Sequence, residues 1–252
     1  MTVRIRRISR VVRDLDRAEA FYRDALNFHP IARGAEEVVM RLGGAEIALV
    51  RFAIDGDPYP QDSQSNDLWF QHLAIEVSDM DAAYAHLTRF PGWRPITQDG
   101  PQLLPPANGN VRAFKFRDPD GHPLELLWFP SRTSNALFVG VDHTALSIAS
   151  TARSIDFYTA LGFAMKQQSL NAGPAQSCLD SLQDARVQVT ALHASTGPGV
   201  ELLAYTPPGR SAATIQPNDT ATDWVTIEVS NPQGPIRDPD GHRLLLVAHR
   251  SV

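Results

Sequence analysis

The first residues of the chain alternate between apolar and charged side chains. Val3 and Ile5 alternate with Arg4 and Arg6, and a period of two is typical of a strand with one buried face. The apolar positions that follow recur at spacings of three and four, which predicts a helix: Ala18, Phe21, Tyr22, Ala25 and Leu26. Two short β-like runs then flank a Gly-Gly turn at 43–44. The pattern predicts a βαβββ unit, here called a module.

The same order of elements recurs and predicts four modules. The second module is predicted to comprise strand 71–77, helix 79–89 and strands 111–116 and 124–129. The third is predicted to comprise strand 141–148, helix 155–161 and strands 176–182, 186–192 and 200–205. The fourth starts near Trp224. The fourth is short, because only 11 residues separate Ile227 from the next Asp-Pro-Asp-Gly-His motif, against 43 after the matching Ile75. Its helix and at least one strand are therefore expected to be missing.

The Asp-Pro-Asp-Gly-His motif occurs twice, at 118–122 and 238–242. Together with Phe-Tyr at 21–22 and at 157–158, it indicates an internal duplication. We predict an α+β protein of four tandem βαβββ modules, the last truncated, with one domain at 1–130, a linker at 131–137 and a second domain at 138–252. The motif suits a tight turn, so His122 and His242 are expected to be structural.

Composition limits the classes of function. The net charge of −5 comes without a clustered basic face, so nucleic acid is not an expected partner. The apolar runs are strand-sized and no apolar segment follows the N-terminal arginines, which predicts a cytoplasmic protein without a membrane span. Cys178 is the only cysteine, which excludes an internal disulfide and thiolate metal clusters; we predict it to be a small buried apolar residue on a strand.

Two segments carry a resemblance to a known family. The sequence Val-Arg-Asp-Leu-Asp-Arg-Ala-Glu-Ala-Phe-Tyr at 12–22 and the sequence Asp-Pro-Asp-Gly-His-Pro-Leu-Glu-Leu at 118–126 resemble the vicinal oxygen chelate superfamily. It includes glyoxalase I, methylmalonyl-CoA epimerase, extradiol dioxygenases and the fosfomycin and bleomycin resistance proteins. The resemblance implies curled mixed sheets around a cleft that holds one divalent metal. It also implies that a His on the first strand of a module and a Glu or Gln on its last strand are the ligands.

The ligand positions are filled in only two modules. The resemblance assigns each module one position on its first strand and one on its last strand. From module one to module four, these positions hold Arg7 and Ala48, His72 and Glu125, His143 and Glu201, and Trp224 and Leu245. If module one pairs with two and three with four, each cleft has two ligands, too few for a firm catalytic site. If the central modules pair, all four ligands share one cleft. The distribution favours the central pairing.

Two His and two Glu in this order are similar to the glyoxalase I set. Imidazole and carboxylate suit Zn²⁺, Ni²⁺, Co²⁺, Mn²⁺ or Fe²⁺ without choosing sharply among them. The resemblance implies an isomerase or lyase of the glyoxalase or epimerase type that acts on a small oxygenated substrate through a metal-bound enediolate. Glu125 and Glu201 are the candidate catalytic bases.

Two alternatives stay open. An Fe²⁺ dioxygenase of the extradiol type would use His72, His143 and Glu125 as a facial triad, although a fourth ligand at Glu201 would take a position that O₂ needs. A binding or resistance protein without turnover would use an apolar cleft, for which Trp69, Phe70, Trp128 and Phe129 are candidates. The chain is expected to be a monomer or a homodimer, because the shortened module leaves a sheet edge or apolar patch that a second subunit would cover.

Overall fold

The structure is a computed structural model that describes residues 3–106, 109–211 and 215–249. Residues 1–2, at the start of the first predicted domain, and residues 250–252, at the end of the second, lie outside the described residues. Within the described ranges the chain forms two mixed sheets and four helices, which confirms the predicted α+β class. None of the described helices combines the length and apolar character that crossing a membrane requires.

The first module has the predicted order of elements. They are β1 (Arg4–Val11), α1 (Leu15–Leu26), β2 (His29–Arg33), β3 (Glu37–Leu42) and β4 (Ala45–Val50). Helix α1 begins where the Asp14 side chain accepts a hydrogen bond from the backbone N–H of Arg17, and it ends at Asn27 in the left-handed conformation. The predicted apolar stripe of α1 is buried.

The second module adds two very short strands to the predicted elements. They are β5 (Gln71–Val77), α2 (Met80–Leu87), β6 (Arg94–Pro95), β7 (Gln102–Leu103), β8 (Arg112–Arg117) and β9 (Pro123–Trp128). Asp79 caps α2 through the backbone N–H of Ala82.

The third and fourth modules complete the chain. They comprise β10 (Phe138–Ser147), α3 (Thr151–Ala160), β11 (Ala164–Ala172), α4 (Pro174–Asp180), β12 (Arg186–His193), β13 (Gly199–Tyr205), β14 (Asp223–Val229), β15 (Gly234–Arg237) and β16 (Arg243–Ala248). The predicted strand at 176–182 is wrong, because Pro174 starts a helix there. Cys178 accordingly lies half-buried on α4. Between β14 and β16 the described chain has no helix, as the short spacing predicted.

Each sheet combines two modules. The inner sheet, in the order β11-β12-β13-β10-β5-β9-β8-β6 with β7 beside β8, comes from modules two and three. The outer sheet, in the order β15-β16-β14-β1-β4-β3-β2, comes from modules four and one. Antiparallel pairs join the modules, β5 with β10 in the inner sheet and β1 with β14 in the outer sheet. The predicted central pairing is confirmed, and each sheet takes strands from both sides of the 131–137 linker.

A second set of contacts joins modules that are consecutive in sequence. Tyr22 of α1 donates its hydroxyl to Asp118 at 2.9 Å, and Tyr158 of α3 donates its hydroxyl to Asp238 at 3.1 Å. Each aspartate also accepts backbone N–H groups of its own turn. We call each of these arrangements a helix–turn clasp. The clasps join module one to two and module three to four.

The two motif histidines are structural, as predicted. The Nε2 atom of His122 lies 2.8 Å from the carbonyl oxygen of Val11, and that of His242 lies 2.9 Å from the carbonyl oxygen of Ser147. Each ring thereby ties the turn to the end of the first strand of the preceding module.

Candidate metal centre

The inner sheet brings the four predicted ligand residues to one place. His72 lies on β5 and His143 on the neighbouring β10, while Glu125 and Glu201 lie on β9 and β13, which run parallel to them. The strands β5 and β10 are antiparallel, with His72 opposite Ala145 and His143 opposite Ala74. Corresponding positions of modules two and three therefore meet across the seam of the sheet.

The ligand atoms of these residues are close together. His72 Nε2 lies 3.1 Å from Glu125 Oε2, and His143 Nε2 lies 3.9 Å from the same oxygen. The ligand atoms of these three buried residues all lie within 4.8 Å of one another. Glu201 stands at the edge of this group, with its Oε2 atom 3.4 Å from His143 Nε2 and its side chain 23% exposed.

The imidazole nitrogens fit a metal ion. Within the described part of the chain, both ring nitrogens of His72 and the Nε2 atom of His143 are buried without a hydrogen-bond partner. Buried polar atoms almost always have partners, so unpaired nitrogens that face a carboxylate need an explanation. The lone pair of an imidazole nitrogen is a common metal ligand. These three residues, with Glu201 beside them, can hold a divalent cation.

Outer contacts orient His143. Its Nδ1 atom lies 2.9 Å from Asp142 Oδ2, and Arg132 donates a hydrogen bond of 2.7 Å to the other oxygen of that carboxylate. A carboxylate that accepts the Nδ1 proton leaves the lone pair on Nε2, which faces Glu125 and Glu201. The contact between Asp142 and His143 was not predicted from the sequence, although Asp142 is the immediate neighbour of the predicted ligand His143.

Burial and neighbouring charges shift the pKa values of all four candidate ligands. Burial by itself raises the pKa of Glu125, but the charges of His72 and Lys115 lower it to about 2. Burial lowers the pKa of His72 to about 4. For His143 burial lowers the pKa, yet Glu201 and Asp142 raise it to about 9. Burial raises the pKa of Glu201, and the charge of His143 opposes that shift.

The four residues line a cleft of about 360 Å³. Its walls are about equally polar and apolar, and the apolar part comes from Leu127, Val187, Val189 and Leu203 on the sheet and from Leu179 on α4. Side-chain hydroxyls of Ser65 and Thr97 and the backbone N–H of Gln98 donate to carbonyls of α4, which fixes the helix over the cleft. This helix was not predicted, because the residue pattern of 176–182 resembles that of a strand.

A buried ion pair forms one polar part of the wall. Lys115 Nζ donates to Asp180 Oδ1 at 2.6 Å, and Gln176 Nε2 donates to Asp180 Oδ2 at 2.7 Å. Lys115 is the cross-strand partner of Glu125, so the two side chains project from the same face of the sheet. Tyr205 also lines this part of the cleft. The sequence pattern could have indicated this residue, because Lys115 alternates with Phe114 and Phe116 on a buried strand, which places its charge inside the protein.

The aromatic residues expected near the site are dispersed. Phe129 lines the cleft, and Phe70 packs its ring against that of His72 with 6.0 Å between centroids. Trp69 lines a separate cavity, and Trp128 donates its indole N–H to a backbone carbonyl.

The equivalent positions of the outer sheet carry no ligand set. Arg7 forms ion pairs with Glu37 at 3.3 Å and Glu46 at 3.5 Å. Ala48 is buried, and Trp224 and Leu245 line an apolar cavity.

Comparisons with known proteins agree with this architecture. The family model described as the Glyoxalase/Bleomycin resistance protein/Dioxygenase superfamily matches residues 4–126. The metallothiol transferase FosB of Shouchella clausii (strain KSM-K16) is 30% identical over 122 residues, which are 46% of this chain and 73% of that protein.

Solved structures share the fold over nearly the whole chain. A glyoxalase I variant from Zea mays has a TM-score of 0.68 at 16% identity and covers 98% of this chain and 94% of its own. A Bacillus subtilis strain 168 protein named as a candidate dioxygenase has a TM-score of 0.59 at 12% identity and covers 98% of this chain and 85% of its own. At these identities the likeness shows the fold alone.

Proposed function

Since this chain belongs to the glyoxalase, bleomycin resistance protein and dioxygenase superfamily, we propose that it is a metal-dependent isomerase or lyase of the glyoxalase or epimerase type. In this proposal His72, Glu125, His143 and Glu201 hold one divalent metal ion, with Glu125 and Glu201 as the catalytic carboxylates. The substrate is a small oxygenated molecule.

One observation carries the proposal. Two modules place two imidazoles and two carboxylates in one cleft, and the Nε2 atoms of both histidines face the carboxylates and are buried without hydrogen-bond partners among the described residues. A protein that only packed these residues would leave their polar atoms unpaired at a cost of about 1–3 kcal/mol each. A cation that they coordinate offsets this cost.

The two carboxylates have different surroundings and suit different roles. A bound divalent ion would supply Lewis-acid stabilisation of negative charge on vicinal substrate oxygens. Glu125 is buried between both imidazoles and beside Lys115, which keeps it ionised and in place. Glu201 is partly exposed at the cleft and has a raised pKa. We therefore assign Glu201 the proton transfer at the substrate carbon, since a base with a pKa nearer the working pH exchanges protons more readily.

The rest of the cleft suits a small substrate that has both apolar and polar groups. Leu127, Val187 and Leu203 form an apolar part of the wall, and residues of α4 line one side. The buried Lys115–Asp180 pair adds no net charge, so polar substrate groups would be bound there by hydrogen bonds. A volume of about 360 Å³ is at the small end for ligand pockets.

Metal content tests the site. Elemental analysis of wild-type protein is expected to give about one metal per chain, and His72→Ala and His143→Ala are each expected to lose it. His193→Ala is the matched control, because His193 lines the same cleft outside the ligand group. If both His72→Ala and His143→Ala kept the metal, the proposed metal site would be contradicted.

Turnover tests the reaction. Wild-type protein loaded with each candidate metal is assayed on a panel of α-ketoaldehydes and hydroxyacids. Glu201→Gln is expected to keep the metal and lose turnover, whereas Glu125→Gln is expected to lose both. Equal turnover of both variants and wild type on an accepted substrate would exclude the two carboxylates as bases.

A second candidate function has one observation in its favour. His72, His143 and Glu125 alone form the group of ligand atoms within 4.8 Å, and two His with one carboxylate is the facial triad of Fe²⁺ oxygenases. Oxygen consumption with catechols and Fe²⁺ tests it. If Glu201→Gln keeps that consumption, the dioxygenase assignment replaces the first proposal.

A further inference from the structure

We propose that the outer sheet carries a second, metal-independent binding site for an amphiphilic carboxylate, with Arg237 and Arg243 as its anion-binding residues. The site lies on the sheet face that corresponds to the metal-binding face of the inner sheet.

The site is an apolar cavity of about 610 Å³. Its apolar lining comes mainly from Trp224 on β14, Leu245 on β16, Pro235 and Ile236 on β15, and Phe52 and Pro217 from loops. In the inner sheet, α4 covers the corresponding face. No residue of a described helix lines the cavity of the outer sheet, and Trp224 and Leu245 are only partly buried. The volume is within the range of small-molecule pockets.

Two arginines stand side by side at this cavity. Arg237 on β15 and Arg243 on β16 are direct cross-strand partners, and Trp224 is the partner of Arg243 on the next strand. The three side chains therefore form one row on the same face. Like charges directly opposite each other destabilise a sheet, and the nearby Arg237 helps to lower the pKa of Arg243, after the larger effect of burial.

The charge of the pair is not neutralised within the described ranges. Arg237 donates to the carbonyl oxygen of Gly241 and Arg243 to that of Ile215, and neither forms an ion pair with a described carboxylate. Asp219 acts on Arg243 from beyond ion-pair distance, and its oxygens accept backbone N–H groups of Asp57 and Gln216. An oxyanion between the two guanidiniums would offset their repulsion and accept their free N–H groups.

The charge distribution decides which side of the pair the ligand occupies. The arginines also border a second cavity of about 290 Å³, but Asp223 and Asp240 line it and repel an anion. The cavity on the Trp224 side is apolar. A ligand there needs an apolar body against Trp224 and Leu245 and a carboxylate that reaches the arginines.

The test uses 1-naphthoate and its neutral analogue 1-naphthamide in calorimetric titrations. Wild-type protein is expected to bind naphthoate at least tenfold more tightly than naphthamide. Arg237→Gln/Arg243→Gln is expected to remove that preference, and Trp224→Ala to weaken both ligands. Lys166→Gln, which removes a cation from the inner cleft, and His72→Ala are expected to leave naphthoate binding unchanged.

Thermal unfolding gives a second readout that does not depend on the double variant. Naphthoate is expected to raise the melting temperature of wild type, and Arg237→Gln alone is expected to raise it by about 1–3 °C without ligand, because the repulsion is removed. The proposal is overturned if wild type binds naphthoate no better than naphthamide, or if Lys166→Gln rather than the arginine variants weakens binding. Weaker naphthoate binding by His72→Ala would place the ligand in the inner cleft and would also overturn the proposal, whereas failure of the metal-site proposal would be seen in the metal content.

Discussion

The inner and outer sheets have the same architecture but differ in chemistry. In both, a parallel pair of strands from each of two modules meets at an antiparallel seam. At corresponding positions the inner sheet has His72 and Glu125 where the outer sheet has Trp224 and Leu245. The backbone thus offers the same four positions twice, and the side chains alone decide whether a cleft can hold a metal.

The comparison also separates what the fold needs from what the site needs. Both helix–turn clasps are present, with Tyr22 on Asp118 and Tyr158 on Asp238. Among the described residues the candidate ligand set is present once. The clasps maintain the scaffold in both halves of the chain, while each sheet has its own set of residues facing its cleft.

The largest effect is expected at Glu201. Glu201→Gln keeps the shape of the side chain but removes the base, so turnover should fall by about 10²- to 10⁴-fold. Steady-state kinetics on the substrate found by the screen measures this fall. Leu245→Gln, at the outer-sheet position that corresponds to Glu125, is the control and should leave turnover unchanged. Similar losses in both variants would mean that the two clefts act together.

The next effect concerns the buried ion pair in the inner cleft. Lys115→Met leaves Asp180 buried without its cation and should reduce the free energy of unfolding by about 3–5 kcal/mol. Urea denaturation measures it. Lys166→Met removes an exposed lysine of the same cleft and should change stability by less than about 0.5 kcal/mol. The double variant Lys115→Met/Asp180→Leu should be more stable than Lys115→Met, because no uncompensated charge remains.

The two clasps are expected to differ moderately in their contributions to the free energy of unfolding. Asp118 accepts three backbone N–H groups of its turn and the Tyr22 hydroxyl, whereas Asp238 accepts one backbone group fewer. Asp118→Ala should therefore cost about 3 kcal/mol and Asp238→Ala about 2 kcal/mol in urea denaturation. Asp14→Ala, at an exposed helix cap, should cost about 1 kcal/mol. A larger loss of unfolding free energy for Asp238→Ala than for Asp118→Ala would contradict this ranking of the two clasps.

The smallest effect is a pH dependence at His122. Burial lowers the pKa of this imidazole, but Asp223 and Asp118 raise it above its ordinary value. Its contribution to stability is therefore complete below about pH 6.5 and is lost as pH rises through the raised pKa of the folded protein. The free energy of unfolding of wild type relative to His122→Gln should fall as pH rises through this window. Parallel pH profiles of the two proteins would contradict the assignment.

Internal repetition made the meeting of the four candidate ligands predictable from the sequence. His72 and His143 were found because each stands at the same place in its module and has a Glu at the matching last strand. The central pairing followed from the absence of ligands at Arg7 and Trp224. The repeat therefore allowed the sequence to be compared with itself.

Features that break the repeat were not predicted. Strand β11 is mostly polar and exposed at the sheet edge, so its residues show no alternation. The apolar residues of α4 are too few to show a helical period, and the turn at Gly173 and Pro174 decides their conformation. Asp180 was missed with α4, and with it the partner of Lys115. Cross-strand neighbours, such as Arg237 beside Arg243, required the register of the strands.

The sheets and the clasps connect the chain in two different ways, and this has a consequence for its assembly. A cut in the 131–137 linker would give two fragments, each holding two modules joined by a clasp but only part of either sheet. Neither fragment would contain a seam between modules, so each would expose the strand edges that β1 offers to β14 and β5 offers to β10. The two fragments should therefore complement each other when mixed. Because each would contribute one His and one Glu to the proposed metal centre, metal binding would report their reassembly.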